Sequence, residues 1–278
     1  MSKKIIKFIL VCSILFSTSV FAWGRAGHLL IDQIAYDNLT PTAKQKVDNL
    51  VNVFARDNPD YSNFVQIGEW PDDVRANNIH AFDSWHFIDK PYVQGYSRKE
   101  YRYDRENVVW AILQSEKTLS SQNASPEMQA MFLAFLTHFV GDVHQPLHCI
   151  TLYNRYYPKG DQGGNLYRIQ SPIANNLHAY WDLGAGYFPT HTDAATIAKF
   201  AQKIESDYPQ SFFKDRLNKT DPKNWADESY GIAKNFVYTA KYNQPISTVY
   251  ESEAYTIVEQ QTALAGYRLA QTLNQLFA

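Results

Sequence analysis

The run His138-Phe139-Val140-Gly141-Asp142, followed by His144, Pro146, Leu147 and His148, gathers imidazoles and a carboxylate in one short stretch. On a helix, positions i and i+4 share a face, so His138 and Asp142 project together. Beyond Pro146 the chain can fold back and carry His148 toward the same cavity. His178-Ala179-Tyr180-Trp181-Asp182 repeats the spacing, and two more clusters follow the same taste: Trp70-Pro71-Asp72-Asp73-Val74-Arg75 and Trp85-His86-Phe87-Ile88-Asp89. Taken singly, a histidine on an apolar helix is usually a hydrogen-bonded core residue. The His178/Asp182 pair alone reads equally as a surface helix pair, and each Trp cluster alone reads as a turn over a buried indole. Together they change the reading, because imidazole and carboxylate form the ligand set of zinc. A catalytic zinc takes about three protein ligands and keeps a position open. Asp72, His86, His138, Asp142, His148, His178 and Asp182 exceed the needs of one ion and suit two or three.

The elements that must position these groups are mostly helical. Thr40-Pro41 is an N-cap followed by proline at the first helical position, and Val47, Leu50, Val51 and Phe54 recur at helical spacing after it. Val108, Ile112 and Leu119 continue the pattern. Ser125-Pro126-Glu127-Met128 opens a strongly apolar helix through about Val143, ended by Pro146. Three more amphipathic helices are expected over Thr192–Tyr208, Asp221 to about Tyr242, and Val249–Phe277. Tyr153–Ser171, with Pro158, Gly160, Gly163 and Gly164, is the clearest non-helical stretch, with a short strand expected over Leu166–Ile169. The fold class is mainly α. No Ser/Gly-rich linker, charge block or repeat divides the chain, so residues 23–278 read as one domain.

Residues 1–22 read as a secretory signal peptide. Lys3, Lys4 and Lys7 form a basic start, Phe8–Phe21 an apolar run, and Val20-Phe21-Ala22 a cleavage site with small residues where they are needed. The run falls short of the ~20 apolar residues that a spanning helix requires. Cleavage would expose Trp23 and leave Cys149 as the single cysteine, excluding an internal disulfide and making the core or bound metal responsible for rigidity. The whole chain has 278 residues, 45% hydrophobic and 15% aromatic, which excludes disordered and low-complexity classes. With 26 basic and 28 acidic residues it carries no polybasic signature, and losing the three leader lysines makes it more acidic still.

Trp23-Gly24-Arg25-Ala26-Gly27-His28, then the Trp70–Arg75 and Trp85–Asp89 clusters, His138–His148, Gly163-Gly164-Asn165 and Asn176-Leu177-His178-x-x-Trp181-Asp182 occur in that order. This ordered set resembles the zinc-dependent single-strand-specific nucleases, the S-one/P-one family. The resemblance runs from Trp23 to Asp182. It implies a helical domain of the phospholipase C/P-one nuclease type with three zinc ions in a cleft. One zinc is then expected on Asp72, His86, His138 and Asp142, and a second on His148, His178 and Asp182. The third is expected on the amine and carbonyl of Trp23, with His28 and the shared Asp142. Signal-peptide removal would complete that last site, because only a free amine chelates.

The resemblance further implies that Asp72 orients the attacking water, Arg75 reaches the phosphate, and products end in 5′-phosphate. For Arg75 the alternative is a salt bridge to Asp73. Phe87 matches a base-stacking residue and Asp89 a partner for the base edge, against the plainer readings of core residue and cap. Tyr156 and Tyr157, in a long loop with Arg155 and Lys159, suit a further contact with a single strand, or simply pack the loop. Net negative charge would repel a polyanion, but three zinc ions reverse the sign locally. The implied substrate is single-stranded DNA and RNA, with 3′-nucleotides also dephosphorylated. The implied protein is a monomer, secreted or periplasmic, with no stable membrane association after export. Leu183 stands where some relatives carry a polar residue at a second nucleotide site. Cys149 reads as a buried bystander and His144 as structural. The rival readings are a zinc-dependent phospholipase C, which would carry glutamate in place of Asp182, and a non-catalytic zinc-binding protein.

Overall fold

The computed structural model describes residues 23–95 and 100–278. The expected signal peptide lies outside the described residues. In chain order the helices are α1 (Arg25–Asp37), α2 (Pro41–Phe54), the single turn α3 (Phe64–Ile67), α4 (Trp70–Ala76), α5 (Val108–Leu119) and α6 (Pro126–His144). They continue with α7 (Leu177–Asp182), α8 (Ala194–Asp207), the single turn α9 (Lys214–Leu217), α10 (Pro222–Asn235) and α11 (Thr248–Leu276). The caps follow local chemistry. Thr40 accepts from the Ala43 N–H, Ser125 from Met128, and Asn176 from Ala179, each taking one donor that the first helical turn leaves unpaired.

Helix α6 forms the axis of the molecule. Every residue from Leu133 to His144 is buried, and α2, α5, α10 and α11 pack around it. A helix apolar on all sides belongs inside a bundle, which accounts for the weak amphipathic pattern of this stretch. α11 runs alongside α1, and at their crossing a Cβ on Gly266 would stand 2.5 Å from Ile34.

Three differences from the sequence reading have local causes. The Leu166–Ile169 strand does not form. Leu166 and Tyr167 donate back into the preceding turn, to Asp161 and Gly164, and only isolated bridges join Arg168 to Asn176 and Gln170 to Pro245. The strands instead are β1 (Pro91–Val93) and β2 (Thr151–Tyr153), paired in parallel. Their long crossover through α5 and α6 is what parallel pairing demands. Secondly, the helix expected to reach about Tyr242 stops at Asn235. Phe236 leaves helical backbone geometry, and its ring stacks on Tyr250 with centroids 4.8 Å apart. Thirdly, α1 was not anticipated, and it carries His28.

Candidate metal centre and substrate cleft

Asp142 stands among three buried imidazoles, each of which faces one of its carboxylate oxygens. Its Oδ2 lies 3.2 Å from His138 Nε2 and 3.1 Å from His86 Nδ1, while Oδ1 lies 3.5 Å from His28 Nε2. Asp72 Oδ1 is 3.8 Å from both His86 Nδ1 and His138 Nε2. A separate group forms where His148 Nε2 lies 3.8 Å from Asp182 Oδ1 and His178 Nε2 lies 3.5 Å from Oδ2. Among the described residues there are three buried sets that could hold metal ions: His28/His138/Asp142, Asp72/His86/His138 and His148/His178/Asp182. Burial of His178 and Asp182 excludes the plain surface-pair reading.

The fold aims these atoms inward. Gly141 lets α6 approach α1, since a Cβ there would come within 2.8 Å of His28 Nδ1. The turn Pro146–Cys149 brings His148 back toward α6, and the Ile88 N–H donates to its carbonyl, tying the Trp85–Asp89 segment to the cluster. On three rings the outer nitrogen is held by a backbone carbonyl. His138 Nδ1 pairs with Gly68 O at 2.6 Å, His148 Nδ1 with His86 O at 2.7 Å, and His178 Nδ1 with Gly163 O at 2.7 Å. Such bonds fix the tautomer that leaves Nε2 free to bind a metal. Gly163 has φ +58°, and a Cβ there would collide with Leu147 O, so glycine presents this carbonyl.

The buried atoms without partners test the fit to metal. His28 Nδ1 and Nε2, His86 Nε2, His148 Nε2, His178 Nε2, Asp72 Oδ1 and Asp142 Oδ1 are all buried and unsatisfied. Buried polar atoms are normally paired, so orphans on residues of all three sets point to ions held there. The 2.9 Å between His86 Nδ1 and His138 Nε2 is near the ~3.3 Å expected of two nitrogens on one tetrahedral zinc. The electrostatics agree. Burial, reinforced by neighbouring histidines, holds His28 well below the usual imidazole range and His178 down at about 3, so both are neutral and ready to ligate. Burial would lower His138 as well, but Asp142 and Asp72 raise it to about 9. Burial alone would lift Asp142, yet His138 and His86 hold it well below the carboxylate range. The carboxylates thus demand positive charge, which a metal supplies. The residues fit zinc.

Beside these groups opens a cavity of about 320 Å³, bordered by Arg75, His86, Phe87, Asp89, His148, Gln162, Asn165 and His178. Arg75 Nε lies 3.4 Å from Asp83 Oδ1, and the Asp73 carboxylate accepts the Tyr61 hydroxyl. Asp89 accepts a hydrogen bond from the Thr151 hydroxyl. Trp23 is fully buried, its indole edge-on to Phe188, and the Gly24 N–H next to it donates to Asp182 O at 2.6 Å. Tyr156 and Tyr157 do not border this cavity. Tyr156 is 69% exposed under the Arg155 guanidinium, and the Tyr157 hydroxyl donates to Leu166 O. Cys149 is buried with its sulfur 3.4 Å from Val143 O, and burial pushes its thiol pKa up. His144 pairs with Val140 O and Arg268.

Gln145 and Gln162 were missed by the sequence reading. Gln145 holds Asp182, and Gln162 edges the cavity. The signal for Gln145 was its place inside the His138–His148 motif. Gln162 has φ +58°, an unusual backbone that composition does not reveal.

The profile of the S1/P1 Nuclease family matches residues 23–278. The chain belongs to the S1/P1 nuclease family. Endonuclease 4 of Arabidopsis thaliana is 26% identical over 284 residues, covering 92% of this chain and 89% of its own. Nuclease P1 of Penicillium citrinum is 26% identical over 278 residues, covering 91% and 97%. Nuclease S1 of Aspergillus oryzae is 24% identical over 288 residues, covering 91% of each. This S1/P1 family member has the mainly helical fold expected of it, and three buried His/Asp sets that could hold metal.

Proposed function

We propose that this chain is an exported, monomeric, zinc-dependent endonuclease that hydrolyses single-stranded DNA and RNA to 5′-phosphate products and also acts on 3′-nucleotides. The observation that carries the reading is three buried His/Asp sets beside a cavity that His86, His148 and His178 border together with Arg75 and Phe87. The ligands would be Asp72, His86, His138 and Asp142 for one ion, and His148, His178 and Asp182 for another. The third would take His28, Asp142 and the main chain of Trp23, with the leader removed at Ala22. Zinc held there supplies Lewis acidity and the positive charge that a phosphate needs in a carboxylate-rich site. The Arg75 guanidinium binds a phosphate oxygen and stabilises charge as water attacks phosphorus. Asp72 orients that water. The P–O3′ bond breaks, the departing chain takes up a proton and leaves as a 3′-hydroxyl, and the phosphate stays on the 5′ end of the other fragment. Phe87 stacks an unstacked base and Asp89 accepts from its edge, which favours single strands over duplex. Tyr156, exposed on its loop, offers a more distant contact with the strand.

The test uses the processed protein on single-stranded DNA before chelation, after chelation and after zinc is restored, with phosphatidylcholine in parallel. Cleavage lost with chelator and regained with zinc upholds the reading. Hydrolysis of the lipid alone would move the chain to phospholipase activity, and silence on both with zinc bound would reject catalysis.

A further inference from the structure

A second cavity, of about 250 Å³, lies across the Phe87–Lys90 segment from the metal groups. Phe87 and Asp89 border the first cavity, whereas Ile88 and Lys90 border this one, the alternation of an extended chain leading into β1. The start of α5, the start of α10 and the approach through Tyr103 and Arg105 close the remainder. Its charged side chains are Lys90, Arg105, Lys223 and Asp227. Lys90 and Asp227 pair with each other. Among the described residues Arg105 and Lys223 make no side-chain hydrogen bond or ion pair, so the cavity carries two cations that no described carboxylate pairs with. Asp104 and Glu106 flank Arg105 in sequence, but neither borders the cavity.

The helix starts add little, because Asn107 and Asp221 already take their first N–H groups. Attraction for an anion therefore rests on the two side chains. Beside them Tyr103 is 44% exposed and Leu113 43%, and Trp110 presents the part of its indole not covered by Trp85. Unpaired cations next to open aromatic faces are what a single-stranded polynucleotide requires: charge for a phosphate and a ring face for an unstacked base. A duplex keeps its bases inside and has no such face to offer.

We infer that this cavity is a second contact for the strand being cleaved, taking one phosphate on Arg105 and Lys223 and one base against Tyr103, away from the scissile bond. The inference rests on the nuclease reading above. It makes long strands better substrates than short ones without touching the chemistry.

The test compares zinc-loaded protein with the R105E/K223E double variant and with Tyr103→Ala, on a long oligothymidylate and on a thymidine dinucleotide. For R105E/K223E, KM for the oligomer should rise about tenfold or more, and its dependence on log salt should flatten by about one to two. Tyr103→Ala should raise the oligomer KM about fivefold or more. The dinucleotide, too short to span both cavities, should keep its kcat/KM within about twofold in both variants. Equal loss on both substrates, or no change on the oligomer, overturns the inference. If the unsubstituted protein cleaves neither substrate, the nuclease reading fails. Fluorescence anisotropy of labelled oligothymidylate on the same proteins then decides the cavity's role: binding weakened in R105E/K223E upholds it, and binding that is unchanged or absent overturns it.

Discussion

The side-chain amide of Gln145 donates to Asp182 Oδ1 at 2.6 Å, while its carbonyl oxygen accepts the Leu147 N–H at 2.6 Å. Both residues are buried, so one uncharged side chain locks the turn carrying His148 to the carboxylate that faces His148 and His178. Burial raises Asp182 well above the carboxylate range, and the bond from Gln145 partly offsets this. Replacing Gln145 with Leu should weaken zinc binding in this group by about 10- to 100-fold, the usual cost of losing an outer partner. Competition with a coloured chelator measures it. An affinity unchanged in Gln145→Leu would show that Asp182 needs no such anchor.

Asp142 faces two groups with its two oxygens, whereas His178 belongs to one. Asp142→Asn should therefore cost more bound zinc than His178→Ala, counted by mass spectrometry of the folded proteins. Equal losses would contradict sharing of Asp142.

Phe87 borders the cavity beside Arg75. If it stacks a base, Phe87→Ala removes about 1–3 kcal/mol of binding, or about 5- to 150-fold in KM for single-stranded DNA. The kcat should change much less. A fall in kcat with constant KM would assign Phe87 to the core instead.

Stripping the metal should lower Tm as well as activity. The histidine and carboxylate atoms that it leaves orphaned are buried, and ligand binding at a thousand times Kd stabilises by about 4 kcal/mol per site. Thermal unfolding with and without chelator reads this directly. An unchanged Tm would mean that the sites form independently of metal.

Asp161, which belongs to none of the three His/Asp sets, offers a pH effect of its own. Burial raises it from 3.8 to about 6, although Tyr238 and the Leu152 N–H donate to it. A carboxyl that is harder to ionise in the fold favours the folded state fully below its unfolded value, and that advantage disappears as pH rises toward 6. At 1.36 kcal/mol per unit the loss approaches about 3 kcal/mol. Asp161→Asn cannot ionise, so its stability relative to the parent should climb between about pH 4 and pH 6.5. Urea titrations at several pH values check the slope, and parallel curves would refute it.

Much of the site was legible because its key pairs are local. His138/Asp142 and His178/Asp182 are each one helical turn apart, and a helix puts such residues on one face whatever surrounds it. The caps at Thr40 and Ser125 were equally local. The helix that carries His28 was not, because α1 is buried almost continuously from Gly27 to Ile31 and shows little period there. The Leu166–Ile169 strand failed for the converse reason: a strand exists only if a partner edge is available, and that stretch turns back on itself.

What the sequence determined by itself was the kind of chemistry, since imidazole and carboxylate at helical spacing limit what can be bound, and the mainly helical class. Tertiary structure decided which imidazoles face Asp142, that Gln145 holds Asp182, and that β1 pairs with β2 across a long crossover. It also placed Arg105 and Lys223 beside Tyr103. Each of these joins residues far apart in the chain, and such contacts exist only after α6 is enclosed by its neighbours and the surrounding segments are pressed against it.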